Sequence, residues 1–209
     1  MIAAVLLAAG GARRFDGTQK LLATVPHEGG EVVLVRLTAE GLIEAGLDRI
    51  VVVLGRDAER VRRSLDGLDV RFVVNAAFAS GMSSSLRAGV SEVMRLWPRV
   101  TWILIALGDQ PMTAAGVVEE LARVTAHSDN GRPASEIVAP RFRGEAGNPV
   151  LFASSLVPEL MAISGDRGAR AVVERVPARV RYVDFEFVAP PDVDTPDDLK
   201  RLRNGKDDS

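Results

Sequence analysis

The sequence predicts an α/β domain built on a mostly parallel sheet. Short apolar runs recur along most of the 209-residue chain. Helix-sized amphipathic stretches separate them, which is the spacing of βαβ crossovers. The first, second and fourth apolar runs carry no polar face, as strands covered on both sides do not.

Ile2–Ala8 is expected as a buried strand, stopped by Gly10-Gly11. Val33–Ala45 has helical spacing and ends at Gly46, a residue suited to a C-cap. Arg49–Leu54 is a β-branched strand closed by Gly55, Ala58–Leu65 a short helix, and Val70–Val74 the next strand. Ser84–Leu96 is helical, with Ser83 or Ser84 as N-cap. Thr101–Leu107 is a strand ended by Gly108, and Thr113–Ala126 a helix capped by Thr113. The texture then changes. Ser128–Ser135 is polar and predicts an exposed loop. Glu136–Pro140 and Asn148–Ala153 predict short strands about a turn at Arg143–Gly147. Ser155–Ser164 and Gly168–Val176 predict helices, and Arg179–Phe187 a strand. Pro196–Arg203 predicts a last helix with Thr195 as N-cap and Pro196 at its first position. The polar residues Asn204–Ser209 are expected to fray. No repeat or linker interrupts the chain. The expectation is one domain over residues 1–209, with 1–127 binding nucleotide and 128–203 elaborated for an acceptor.

Composition narrows the function classes. The chain is 47% hydrophobic and 26% charged, ordinary for a soluble globular protein. Its formal charge of −2 gives no global basic field for nucleic acid or an anionic membrane. An anionic ligand therefore needs a local site. Cysteine is absent, which excludes disulfides and thiolate chemistry and fits a reducing cytoplasm. Only His27 and His127 remain as imidazoles, so a His-rich metal site is excluded as well. The apolar opening run is too short to span a bilayer and lacks the flanks of a signal peptide.

Two segments fall at the carboxyl ends of predicted strands, where open α/β sheets bind ligands. The first is Leu7-Ala8-Ala9-Gly10-Gly11-Ala12-Arg13-Arg14-Phe15-Asp16-Gly17-Thr18-Gln19-Lys20. Small side chains let backbone N–H groups approach phosphate oxygens. Arg14 can chelate such oxygens and Lys20 can follow them as a point charge. The segment matches neither the dinucleotide fingerprint nor the Walker pattern. Taken alone, it fits a phosphate cradle or a tight turn with solvated cations. The second is Leu107-Gly108-Asp109-Gln110-Pro111. Asp109 suits Mg²⁺, which takes one or two protein carboxylates and fills its shell with water and phosphate oxygens. It also suits a polar turn.

Farther along, Asp192-Val193-Asp194-Thr195-Pro196-Asp197-Asp198 puts Asp192 and Asp194 on one face if extended. Asp194 is the better metal candidate, while Asp197 and Asp198 suit the first turn of a helix. Ser83, Ser84 and Ser85 place three hydroxyls at a helix start, fit for a phosphate or a nucleoside edge and also for capping. Asn148 and the Gly165–Arg170 segment are turn-rich and open to either an acceptor-binding or an ordinary loop role.

Taken together, these segments resemble the MobA-like NTP transferase family, and within it the molybdenum cofactor cytidylyltransferase branch. The first loop and Gly108-Asp109-Gln110-Pro111 match the wider family. Residues 81–89, 147–152 and 165–170 match the branch, and 192–199 follows in the same order. Asp16 departs from the glycine that relatives often carry there. The resemblance implies a Rossmann-like three-layer α/β/α fold of the nucleotide-diphospho-sugar transferase type. It implies transfer of CMP from CTP to molybdenum–molybdopterin, with release of pyrophosphate. GTP with molybdopterin, another NTP with another phosphorylated acceptor, and a non-catalytic cofactor chaperone are the competing readings. By the same resemblance, Ala8, Ala9, Gly10, Gly11 and Ala12 line the nucleotide with Ser83, Ser84 and Ser85. Arg14 and Lys20 neutralise phosphate charge, and Asp109 and Asp194 hold Mg²⁺ or Mn²⁺. Asn148, Asp166 and Arg170 face the acceptor. A molybdoenzyme receiving the product is an implied partner, and the cytoplasm the implied location.

Overall fold

The computed structural model describes residues 1–10, 19–27, 30–111, 115–125, 128–129, 132–133, 135–189, 193 and 197–198. In chain order its first half contains β1 (Ile2–Ala8), β2 (Thr24–His27), β3 (Gly30–Val33), α1 (Leu34–Glu44), β4 (Ile50–Leu54), α2 (Ala58–Ser64), β5 (Arg71–Val74), α3 (Met82–Leu96) and β6 (Trp102–Leu107). Then come α4 (Ala115–Thr125), β7 (Ser128–Asp129), β8 (Arg132–Pro133), β9 (Ile137–Phe142), β10 (Glu145–Ala146), β11 (Val150–Ala153), α5 (Val157–Met161), α6 (Arg170–Arg175) and β12 (Val180–Phe185).

An eight-stranded sheet runs β10-β9-β11-β6-β1-β4-β5, with β12 added beside β9. Strands β6, β1, β4 and β5 are parallel. Strand β11 enters antiparallel between β6 and β9. The chain steps outward from β1 to β4 to β5, then returns to place β6 on the other side of β1. Because crossovers are right-handed, the returning helix must cover the opposite face from the outgoing ones.

The buried side chains divide accordingly. Ala4, Leu6, Ile50, Val52, Leu54, Leu104 and Ala106 pack with Leu42 of α1, Val61 of α2 and Leu121 of α4. Their alternates Ala3, Val5, Val51, Val53, Ile103 and Ile105 pack with Leu86 and Val90 of α3, Leu160 of α5 and Val172 of α6. The period of two along each strand thus sorts one apolar run into two cores. The result is a Rossmann-like three-layer α/β/α fold. Among the described residues no helix is long and apolar enough to cross a membrane.

Most expected elements appear within one or two residues of their predicted ends. Four differ. The hairpin of β2 and β3 and the two-residue strand β10 lay in stretches with no strand expectation. The polar 128–135 segment, expected as a loop, pairs Ser128 with Pro133 and Asp129 with Arg132. The helix expected over Ser155–Ser164 begins as a 3-10 turn at Ser154–Leu156 and is α-helical only over Val157–Met161. Ser83 and Ser84 do not cap α3: Gly81 is the N-cap, with φ 109° and ψ 167°, and both serines lie inside the first turn. Of the expected last helix, Asp197 and Asp198 are helical, and the remainder lies outside the described residues.

Candidate active site

Strands β1 and β6 are neighbours at the point where the strand order reverses, with Leu7 opposite Leu107. A crevice at that switch point is where this class of sheet binds ligands. The turn after β6 is held from three directions. Gly108 N donates to Leu7 O at 3.0 Å and Val193 N donates to Asp109 O at 3.3 Å. The Thr38 hydroxyl of α1 shares its proton between Leu34 O at 3.1 Å and Gly108 O at 3.2 Å. Asp109 is thereby presented at the carboxyl rim from a fixed backbone.

Lys20 lies in a 3-10 turn, Lys20–Leu22, that follows the small-residue loop. Its Nζ is 2.6 Å from Asp109 Oδ2, with the two side chains 16% and 22% exposed. The sequence-predicted cation and carboxylate therefore converge, although they stand on separate turns. This arrangement fits a divalent ion. An ammonium already sits against the carboxylate, so a positive charge is accommodated there. Among the described residues no three His, Cys, Asp or Glu cluster. That suits Mg²⁺ or Mn²⁺ with few protein ligands better than a closed protein cage.

Ala8 and Ala9 are buried, and Gly10 is exposed at the rim. Ala9 meets the end of β4: Arg56 N donates to Ala9 O at 3.4 Å. A Cβ on Gly55 would lie 2.5 Å from that same oxygen, so only glycine allows the approach. Gly11, Ala12, Arg14 and Asp194 lie outside the described residues, as does Asp16.

The serine cluster is organised by Asn75, which follows β5. Asn75 Nδ2 donates to Ser84 Oγ at 2.8 Å and to Ser85 Oγ at 3.0 Å, and its Oδ1 accepts from Ala77 N at 3.0 Å. The Ser84 hydroxyl faces the carbonyls of Ala77 and Gly81, at 3.0 and 2.9 Å. Ser83, Ser84 and Ser85 are all buried. Asn75 thus engages the hydroxyl oxygens of Ser84 and Ser85 at the start of α3.

Of the acceptor candidates, Asn148 precedes a cis peptide bond to Pro149. Strand β11 runs antiparallel to β6, with Val150 opposite Ile105. Asn148 therefore stands just ahead of the strand that pairs with β6, two residues before its first registered pair. Asp166 has another task. Its Oδ1 accepts from Met82 N at 3.3 Å, and Ser83 N donates to Gly165 O at 3.3 Å. A carboxylate at a helix N-terminus satisfies an orphan donor and complements the dipole. Arg87 Nη1 also donates to Ile163 O, tying the same turn to α3. Arg170 is exposed and bonds Glu174 one turn on, at 3.1 Å. Gly81 sits at the seam: a Cβ there would lie 2.5 Å from Gly165 O. Gly81→Ala is expected to cost about 2–4 kcal/mol from positive-φ strain and main-chain overlap, read by urea unfolding.

Thr38 and Asn75 were not singled out by sequence reasoning. Asn75 had a usable signal, a polar residue directly after an apolar strand, the same one that exposed Asp109. Thr38 looked like an ordinary helix position.

The model of the MobA-like NTP transferase domain matches residues 4–180. The chain belongs to the MobA-like NTP transferase family. Membership brings nucleotidyl transfer as the family chemistry. Among curated relatives of this MobA-like NTP transferase is nicotine blue oxidoreductase of Paenarthrobacter nicotinovorans, 32% identical over 207 residues and 96% of each chain. Among solved structures, Rv0371c of Mycobacterium tuberculosis H37Rv is 32% identical with a TM-score of 0.79, covering 98% of this chain and 97% of the other. A second structure of Rv0371c is a complex with manganese, with a TM-score of 0.76 at 31% identity, covering 98% and 99%. A nucleotidyl transferase from Methanothermobacter thermautotroptrophicus, 24% identical with a TM-score of 0.77 and covering 98% and 96%, shares the fold.

Proposed function

We propose that the protein transfers CMP from CTP to the terminal phosphate of molybdenum–molybdopterin, releasing pyrophosphate. The observation that carries this reading is the Lys20–Asp109 pair at the β1/β6 switch point, 2.6 Å apart. A carboxylate for a divalent ion stands there beside a mobile point charge for phosphate.

The acceptor's phosphate oxygen attacks the α-phosphorus of CTP in line, and the bond to the β-phosphate oxygen breaks. A phosphate monoester with a second pKa of about 6 is already mostly dianionic at neutral pH, so no general base is required. This agrees with a chain that has no Cys. Asp109, together with Asp194, would hold Mg²⁺ or Mn²⁺, an ion that neutralises the phosphate oxygens as a Lewis acid. The manganese complex of the mycobacterial relative supports that choice of ion. Lys20 and Arg14 take up charge on the departing pyrophosphate. The small-residue segment 8–12 would supply backbone N–H groups to the triphosphate. Asn148, just ahead of β11, would contact the acceptor. Asp166, which also accepts from Met82 N at the start of α3, would face the acceptor together with Arg170. We place the reaction in the cytoplasm, with a molybdoenzyme receiving the product.

The deciding experiment incubates the protein with Mg²⁺, CTP, GTP or ATP, and the molybdenum pterin, and measures pyrophosphate. Release that requires both CTP and the pterin is expected. Release with GTP would move the activity to guanylyl transfer. Pterin binding without release would make the protein a cofactor chaperone. Nucleotide preference has its own readout: CTP with Mg²⁺ should raise the melting temperature by more than GTP or ATP does, by mass action on the native state. A redox reading is favoured by one observation, the name of the curated relative. It predicts consumption of a reduced nicotinamide, followed by absorbance, in reactions that release no pyrophosphate.

A further inference from the structure

We propose that Gln19 is a positioning residue: its side-chain amide registers the turn that delivers Lys20 to the rim. The proposal rests on the phosphate-handling role of Lys20 given above.

Gln19 is 2% exposed, as buried as the aliphatic core around it. Its Nε2 donates to Arg56 O at 3.2 Å, reaching from the start of the Lys20 turn to the chain just past β4. Its own carbonyl accepts from Leu22 N at 2.9 Å and so opens that turn. On the other side of Lys20, Leu21 is 3% exposed and packs against the turn after β6: a Cβ on Gly108 would meet Leu21 Cδ2 at 3.3 Å. Lys20 is therefore bracketed by two anchored neighbours. One is tied to the end of β4 and the other to the turn that carries Asp109. The ammonium goes where that bracket sends it, onto Asp109 Oδ2.

Stability alone does not explain a glutamine here. Among the described residues, Gln19 Oε1 is buried without a hydrogen-bond partner. A buried polar atom left unpaired costs its full desolvation. Met or Leu would fill nearly the same volume without that cost. What the aliphatic residues cannot supply is the fixed link from Gln19 to Arg56. The amide trades stability for the placement of its neighbour, a pattern known at functional sites.

The test is Gln19→Met, alone and combined with Lys20→Ala, using tripolyphosphate with Mg²⁺ as the binding probe and pyrophosphate release as the rate. Gln19→Met should melt at or above the wild-type temperature. It should bind tripolyphosphate several-fold more weakly and lower kcat about tenfold, since small misplacements of a charged group are expensive in rate. KM for the nucleoside triphosphate should change less than kcat. In the Lys20→Ala background the same substitution should add nothing. Gln19→Asn, a shorter amide that cannot span to Arg56, should share the functional loss. A lower melting temperature, a failure to fold, wild-type binding and rate, or an equal further loss without Lys20 would each overturn the proposal. The binding arm needs no turnover. If it behaves as expected while no nucleotide yields pyrophosphate, the transferase reading fails and the role of Gln19 stands.

Discussion

Asp109→Asn is expected to lower pyrophosphate release by about 10³-fold or more while the melting temperature stays near that of the wild type. The substitution keeps shape and removes charge. The backbone of the turn is held by Leu7, Thr38 and Val193, none of which depends on the carboxylate. The side chain is 22% exposed, so water can solvate an amide there and folding loses little. What disappears is the one described carboxylate in contact with Lys20, and with it the anchor for a divalent ion. Mn²⁺ titration of the same variant, followed by electron paramagnetic resonance, should show weakened binding. Near-normal turnover would remove Asp109 from the chemistry.

Lys20→Ala is expected to lose on the order of 10²-fold in kcat, the scale seen when one preorganised donor to developing charge is removed. The loss should appear in kcat more than in KM, because charge on the leaving pyrophosphate grows only as the bond breaks. Stability should fall modestly, because the pair is mostly shielded and Asp109 is left without its counter-charge. Lys20→Arg should restore only part of the rate. A planar guanidinium is larger than an ammonium, and the bracket formed by Gln19 and Leu21 sets the reach of the side chain. Stopped assays of pyrophosphate at saturating nucleotide will read all three proteins.

These two residues also show what the sequence makes legible. Asp109 and Lys20 could be found because each follows an apolar run at a place where α/β sheets leave a rim open. The parallel core was legible for the same reason, since β1, β4 and β6 announce themselves by composition. Contacts made by residues far apart in sequence were not. Asp166 looked like a loop acid, and only its position 3.3 Å from Met82 N makes it a helix cap. The serines at 83–85 were legible as hydroxyls near a helix start, but that Asn75 donates to two of them was not. Arg170 had a partner one helical turn ahead that spacing alone left unremarked. The β2–β3 hairpin was missed because Pro26 and His27 interrupt an otherwise strand-like stretch. Short edge strands of this kind are specified by their pairing rather than by a long periodic pattern.

Where α3 begins, main chain meets main chain: Gly81 faces Gly165 with no room for a methyl group between them. The gap between α3 and the turn of residues 163–166 is thus fixed by atomic radii, not by any choice of side chain. Reshaping this junction by substitution at residue 81 is closed. Room for change lies instead in residues 143–146, which are exposed, although Arg143 Nε donates to Glu186 O at 2.9 Å and Glu145 and Ala146 pair with β9.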